Sequence, residues 1–277
     1  MKKIKIAISP CPNDTFVFYA LINKKITVEN LEFEFSFLDI EQLNMGALNH
    51  EFDICKVSYA LIPQLTSNYN LLSAGGALGK KCGPLLITHH HSPFEIDSNH
   101  NVLLPGKHTT AAFLFHHFYP NNKKVSNHVF SSIEDLLVQK QFDAGVIIHE
   151  SRFTYGEKGL SLIADLGEKW ETKYHLPIPL GGIIIDKKMD IEVQKQINNA
   201  IKLSVDYAWE HKQEVLDFCK SYAQEMSESV MLDHIHLYVN EFTSSLKAEG
   251  KAAIEKLFLA HENENSCNFM TSIVFIE

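Results

Sequence analysis

Short apolar β-rich runs alternate with helical segments from the N-terminus to about residue 150, and this alternation restricts the fold more than any other feature. It is typical of α/β proteins with mostly parallel sheets covered by helices. The predicted strands are Lys3–Ile8, Leu31–Leu38, Asp53–Lys56, Pro84–Thr88, Val102–Pro105, one near Val129, and Ala144–Ile148. The predicted helices are Asp14–Ile22, Ile40–Asn49, Ser58–Leu65, Thr109–Phe118 and Ser132–Gln139, followed by Ile191–Glu210, Gln213–Gln224, Ser229–Val239 and Leu246–His261.

Two passages divide this pattern into two α/β units. The polar passage His89–His100 predicts one crossover, and the Pro- and Gly-rich passage Leu176–Gly181 predicts a return crossover that feeds one more apolar strand. Two crossings predict two lobes with one cleft between them. We expect residues 1–90 and 184–277 to form lobe 1 and residues 91–183 to form lobe 2. A chain of 277 residues with 45% hydrophobic content is long enough to bury two such cores.

Three predicted strand-to-helix junctions carry hydroxyl residues where the helix begins. They are centred on Thr15, on Ser58, and on the pair Thr109 and Thr110. Free N–H groups, hydroxyls and the positive end of the helix dipole converge at such a junction. Because these turns lie at the carboxyl ends of the strands, we expect them to hold a carboxylate or another anionic group together. A rigid capped turn without a ligand is the alternative for any one of them.

His149 is the strongest catalytic candidate. It follows Asp143–Ile148, whose near-continuous apolar character predicts a buried strand ending at the cleft. An imidazole with an ordinary pKa of about 6.5 takes a proton readily near neutral pH. The alternative is a histidine that caps the next helix, and Glu150 is either its partner or a first-turn carboxylate. Other histidines are interpreted as structural or solvated, namely His116, His117, His234 and His236.

Composition excludes several classes of function. The formal charge of −9, without a basic run, argues against nucleic acid and acidic membranes as partners. No segment approaches the length of a membrane span, and Met1–Lys3 leads at once into a strand instead of an export signal, so we expect a cytoplasmic protein. The five cysteines form no C-x-x-C pair, which predicts reduced thiols.

Neither a metal nor an organic cofactor is expected. His89, His90 and His91 are adjacent on a predicted extended segment, so they point to opposite sides, and no fourth ligand is evident. The run Gly75–Gly83 lacks both the phosphate-loop signature and the strand-to-helix order of a dinucleotide site. A close approach of the backbone to a ligand explains its glycines better.

Six motifs, in order, resemble the 1,4-dihydroxy-6-naphthoate synthases of the futalosine route to menaquinone. The resemblance covers the chain from the first strand to the last helices, including His236–Asn240. The six motifs are Ser9–Phe16 (SPCPNDTF), Lys56–Tyr59, Gly75–Gly79, Pro105–Thr110, Ile147–Tyr155 and Leu176–Gly181.

This resemblance implies a type II periplasmic-binding-protein fold in a cytoplasmic lyase that uses no metal or organic cofactor. Such an enzyme converts cyclic dehypoxanthinyl futalosine into 1,4-dihydroxy-6-naphthoate and releases a sugar-derived fragment. The resemblance implies that His149 is the proton acceptor. It also implies that the substrate site is lined by Lys56, Val57, Ser58, Thr109 and Thr110.

Three other functions stay open at this point. Chorismate dehydratase of the same pathway shares the fold, and a plain binding protein would capture a small carboxylate without chemistry. A ligand-sensing module is the third, although no DNA-binding segment is attached. The expected partner is a small-molecule carboxylate, a homodimer is possible, and contact of Cys11 or Cys55 with the ligand is undecided.

Overall fold

The computed structural model describes residues 1–90, 94–223, 227–265 and 273–277, and it places the strands in two sheets. The first sheet contains β1 (Lys2–Ile8), β2 (Leu31–Phe37), β3 (Ile54–Ser58), β4 (Tyr69–Leu72), β5 (Ala77–Gly79), β11 (Ile178–Asp186) and β12 (Phe275–Ile276). The second sheet contains β6 (Leu85–Thr88), β7 (Val102–Leu104), β8 (Val125–Asn127), β9 (Ala144–Ile147) and β10 (Ser161–Asp165).

Parallel pairing brings the functional turns to common edges. The first sheet has the order β12-β4-β11-β3-β1-β2, with β5 on β11, and β1 is parallel to both β2 and β3. The second sheet has the order β10-β6-β9-β7-β8, and β7 is parallel to both β8 and β9. Because parallel strands end at the same edge, the turns after β1 and β3 are neighbours, as are the turns after β7 and β9. The α/β prediction is confirmed.

Helices cover both sheets, and those after β11 pack on the first one. Helix α1 is buried around most of its circumference because α8, α9 and α10 lie against it. Short 3₁₀ helices span Tyr59–Leu61, Phe130–Ser132 and Tyr155–Lys158. The α-helices are α1 (Pro12–Ile22), α2 (Ile40–Leu48), α3 (Ile62–Leu65), α4 (Thr110–Phe118), α5 (Ile133–Val138), α6 (Ser151–Thr154), α7 (Leu166–Tyr174), α8 (Ile191–Glu210), α9 (Lys212–Lys220), α10 (Glu228–Tyr238), α11 (Glu241–Ser244) and α12 (Lys247–Asn265).

The chain changes sheets earlier than the predicted limits at residues 90 and 183. It leaves the first sheet between β5 and β6, at residues 80–84, and returns between α7 and β11, at residues 175–177. The predicted crossover His89–His100 instead connects β6 to β7 within the second sheet, and residues 91–93 lie outside the described ranges. The reason is that β6 is an apolar strand buried throughout, and nothing in its own sequence specifies which sheet it joins.

Smaller differences concern single elements. The strand expected near Val129 is β8, a few residues earlier. The sequence does not predict strands β4, β5, β10 and β12 or helices α6, α7 and α11. The predicted end of the helix that corresponds to α9, Gln224, lies outside the described residues. Among the helices of the described ranges, none is both long enough and apolar enough to cross a membrane.

Candidate active site

The turns predicted to bind a ligand line one cleft between the two sheets. The cleft encloses a cavity of about 90 Å³. Tyr238 of α10 and Leu180 of β11 complete the wall. The cleft thus brings together five of the six site residues expected from the sequence: Lys56, Ser58, Thr109, Thr110 and His149.

Val57 is the sixth, and its side chain lies elsewhere. Successive residues of a strand point to opposite faces, so Lys56 and Ser58 face the cleft while Val57 packs in the hydrophobic core. Gly181 on the adjacent strand β11 leaves room for the lysine, since a Cβ there would lie 3.1 Å from Lys56 Cε.

Lys56 and Asp14 form a buried ion pair in the wall of the cleft. Lys56 Nζ donates to Asp14 Oδ1 at 2.8 Å and to the carbonyl oxygen of Gly75 at 3.0 Å. The carboxylate also accepts hydrogen bonds from Ser9 Oγ at 2.7 Å and from Asn13 Nδ2 at 2.8 Å. An ammonium group has three N–H donors, so one donor of Lys56 remains for a ligand once these two acceptors within the described structure are served.

Ser58 also keeps a donor for the cleft. Asn44 Nδ2 donates to Ser58 Oγ at 3.0 Å, and the Ser58 backbone N–H donates to Asn44 Oδ1 at 2.9 Å. Because the hydroxyl oxygen accepts from Asn44, its own hydrogen can be donated to a ligand. Sequence reasoning missed Asn44, whose amide holds this hydroxyl in place.

The two threonines act through the helix that they begin. Thr109 Oγ1 caps α4 by accepting from the Ala112 N–H at 3.1 Å. Thr110 Oγ1 accepts from the Ala60 N–H at 3.2 Å and donates to the Leu180 carbonyl at 2.8 Å, so this hydroxyl joins the two lobes. The groups left to bind an anion here are the first N–H groups of α4, which have no acceptor within the helix.

His149 lines the same cleft, in a left-handed backbone conformation. Its φ of 59° is in the left-handed region, which non-glycine residues adopt uncommonly. Its Nδ1 lies 3.4 Å from Cys11 Sγ, and its ring forms a T-shaped pair with the Phe130 ring at a centroid distance of 4.8 Å. Cys11 belongs to the first lobe, so the two lobes meet at this imidazole.

Arg152 fixes the segment that follows His149. Its guanidinium donates to the carbonyl oxygens of Gly83 at 2.5 Å and Lys81 at 2.9 Å, and to Asp165 Oδ2 at 2.7 Å. These bonds attach the turn to the first crossover and to the start of α7. A guanidinium group that donates hydrogen bonds to three acceptors holds a short turn firmly.

A second histidine, His234, lies beside His149, and its burial agrees with the interpretation of His234 as structural instead of solvated. Its ring is fully buried, its centroid is 6.3 Å from that of His149, and neither nitrogen has a hydrogen-bond partner within the described chain. Burial lowers the pKa of His234 well below its ordinary value of 6.5, and the charge of His149 lowers it further, so the ring is neutral. The sequence signal that could have placed His234 near the site is its spacing from Tyr238, because this spacing puts both side chains on one face of a helix.

The residues left undecided by the sequence are now located. Cys11 contacts His149, whereas Cys55 is buried in the core with its Sγ near the Leu43 carbonyl. Glu150 precedes α6 without capping it, and its buried Oε2 has no hydrogen-bond partner among the described residues. In the same part of the chain, no group of three or more His, Cys, Asp or Glu side chains could hold a metal ion, and His91 lies outside it.

Comparison with known proteins connects this site to a family. The model of a protein family described as menaquinone biosynthesis matches residues 4–262. The chain belongs to this menaquinone-biosynthesis family. A relative from Thermus thermophilus, named 1,4-dihydroxy-6-naphthoate synthase, is 37% identical over 262 residues that cover 95% of each chain. The resemblance stated from the six motifs is therefore confirmed.

Solved structures agree with the fold. The crystal structure of protein AF1704 from Archaeoglobus fulgidus matches with a TM-score of 0.91 and 29% identity, covering 96% of this chain and 98% of that one. A Candida albicans protein described as having the generic periplasmic binding protein fold matches with a TM-score of 0.65 and 15% identity, over 96% of each chain. The periplasmic-binding-protein-like fold expected for the family is confirmed.

Proposed function

We propose that this protein is a 1,4-dihydroxy-6-naphthoate synthase, a cytoplasmic lyase that acts on cyclic dehypoxanthinyl futalosine. The observation that carries the proposal is the imidazole of His149 facing the anion-binding groups of both lobes, in a chain 37% identical to an enzyme of that name. The cytoplasmic assignment is supported by the four described cysteines, which are all free, as is usual for a reducing compartment.

Local donors anchor the substrate carboxylate. With a formal charge of −9, the protein as a whole does not attract an anion, so the anchor has to come from nearby groups. These groups are the hydroxyl hydrogen of Ser58, the remaining N–H of Lys56 and the first backbone N–H groups of α4. They hold the ring system against His149.

His149 then removes a proton from the bound substrate. Loss of this proton drives ring opening and expulsion of the sugar-derived fragment. Formation of the aromatic naphthoate makes the overall reaction thermodynamically favourable. A positioned general base contributes about 10²- to 10⁴-fold to the rate. Contact between the lobes excludes water from the reacting groups.

The test is turnover by the purified protein with each candidate substrate in a separate reaction. We expect the naphthoate to form from cyclic dehypoxanthinyl futalosine, detected by its absorbance and mass, and no dehydration of chorismate. Dehydration of chorismate would instead identify the protein as the chorismate dehydratase of the same pathway. Binding of the futalosine derivative without any product would support the plain binding protein.

A further inference from the structure

The Pro10-Cys11-Pro12 turn holds a thiol rigidly against the candidate base. Cys11 is the N-cap residue of α1, with φ −63° and ψ 149°, and a proline follows it at the first helical position. Its carbonyl oxygen accepts from the Asp14 N–H at 3.1 Å and from the Thr15 N–H at 3.0 Å. The backbone that carries this thiol is therefore well constrained, and its Sγ lies 3.4 Å from His149 Nδ1.

This thiol is uncharged at neutral pH. Cys11 is 5% exposed, and burial raises its pKa well above the ordinary value. The negative charges of Glu150, Asp14 and Asp39 raise it further. A protonated, buried thiol is a poor nucleophile and forms no ion pair with imidazolium. Its contact with His149 is therefore a neutral hydrogen bond.

The direction of this hydrogen bond decides whether His149 can act as a base. If the S–H donates to Nδ1, the imidazole proton is on Nε2, and that nitrogen has no lone pair for the substrate. If Nδ1–H donates to Sγ, Nε2 is unprotonated and can accept a proton. Only the second arrangement agrees with base catalysis at Nε2.

We propose that Cys11 is a positioning residue whose sulfur accepts the Nδ1–H of His149 and so presents an unprotonated Nε2 to the substrate. This inference deepens the proposed function, because it rests on the role of His149 as base. Other neighbours do not compete for Nδ1. Phe130 has no polar side-chain atom, and the ring of His234 is centred 6.3 Å away. Oε2 of Glu150 has no hydrogen-bond partner within the described structure.

The first experiment measures the tautomer without substrate, so its result is independent of the proposed reaction. Protein labelled with ¹⁵N at histidine is examined by long-range ¹H–¹⁵N NMR, and the His149 signals are assigned by their loss in His149→Asn. We expect the Nδ1–H tautomer in the wild-type protein and a mixture of both tautomers in Cys11→Ala. An Nε2–H tautomer in the wild type overturns the proposal. This measurement on the wild-type protein does not depend on whether a Cys11 variant folds.

The second experiment measures catalysis. Loss of one neutral hydrogen bond predicts a fall in kcat of about two- to tenfold in Cys11→Ala, with KM unchanged. Cys11→Ser, whose oxygen also accepts, is expected to recover kcat and the Nδ1–H tautomer. The matched control is Cys55→Ala, which removes a buried thiol away from the cleft and should leave both readouts unchanged. An unchanged tautomer in Cys11→Ala, or an equal effect in Cys55→Ala, contradicts the proposal.

Discussion

Replacing Lys56 with methionine isolates the energy of the buried ion pair in the cleft wall. Methionine keeps a long, unbranched apolar stem but removes the ammonium group, so the Asp14 carboxylate loses its charged partner. Breaking a buried pair by removing one partner costs about 3–5 kcal/mol. Here Asp14 keeps hydrogen bonds from Ser9 Oγ at 2.7 Å and Asn13 Nδ2 at 2.8 Å, which still stabilise the carboxylate. We therefore expect the lower end, a loss of about 3 kcal/mol in the free energy of unfolding.

Urea unfolding followed by far-UV circular dichroism measures this loss as a lower midpoint with an unchanged slope. The control is Lys195→Met, because Lys195 pairs with Glu192 on the surface, where such a bridge contributes about 0–1 kcal/mol. The double variant Asp14→Asn/Lys56→Met should be more stable than Lys56→Met, since it leaves no buried charge unpaired. The reasoning would be refuted if Lys56→Met lost no more stability than the control, or if the double variant were the less stable.

Two further predictions concern histidines near the cleft. Because burial lowers the pKa of His234, the unfolded state binds more protons than the folded state in acid. As the pH is lowered from about 6.5, this group should therefore reduce the free energy of unfolding by up to about 1.4 kcal/mol per pH unit. His234→Phe should remove that part of the slope in urea unfolding at several pH values, and an unaltered slope would count against the buried neutral ring. Glu41 joins the lobes by accepting from His108 Nδ1 at 2.6 Å and from the His108 N–H at 3.1 Å. Glu41→Gln should therefore raise KM about tenfold with little change in kcat, because the lobes close less readily; an unchanged KM would exclude this contact from closure.

Local sequence predicted the parts of the site that local chemistry determines. The Thr109 cap and the strand before His149 follow from residues close by in the chain, and α8 has the predicted bounds. The membership of β6 in the second sheet depends on partners far along the chain, which its own apolar residues do not specify. Val57 was expected in the site from the resemblance, and strand alternation explains why its side chain instead lies on the opposite face from Lys56 and Ser58. The approach of Cys11 to His149 joins residues 138 positions apart, and no local pattern indicates it.

The most direct test of the account is single-turnover kinetics of His149→Asn with cyclic dehypoxanthinyl futalosine. Asparagine tolerates the left-handed backbone at φ 59°, whereas alanine would add a conformational cost of about 1–2 kcal/mol, so asparagine removes the imidazole with least disturbance. We expect the rate of naphthoate formation to fall by about 10²- to 10⁴-fold while the substrate Kd stays close to the wild-type value. A rate close to that of the wild type would contradict the central claim that this imidazole, held between the lobes, is the base.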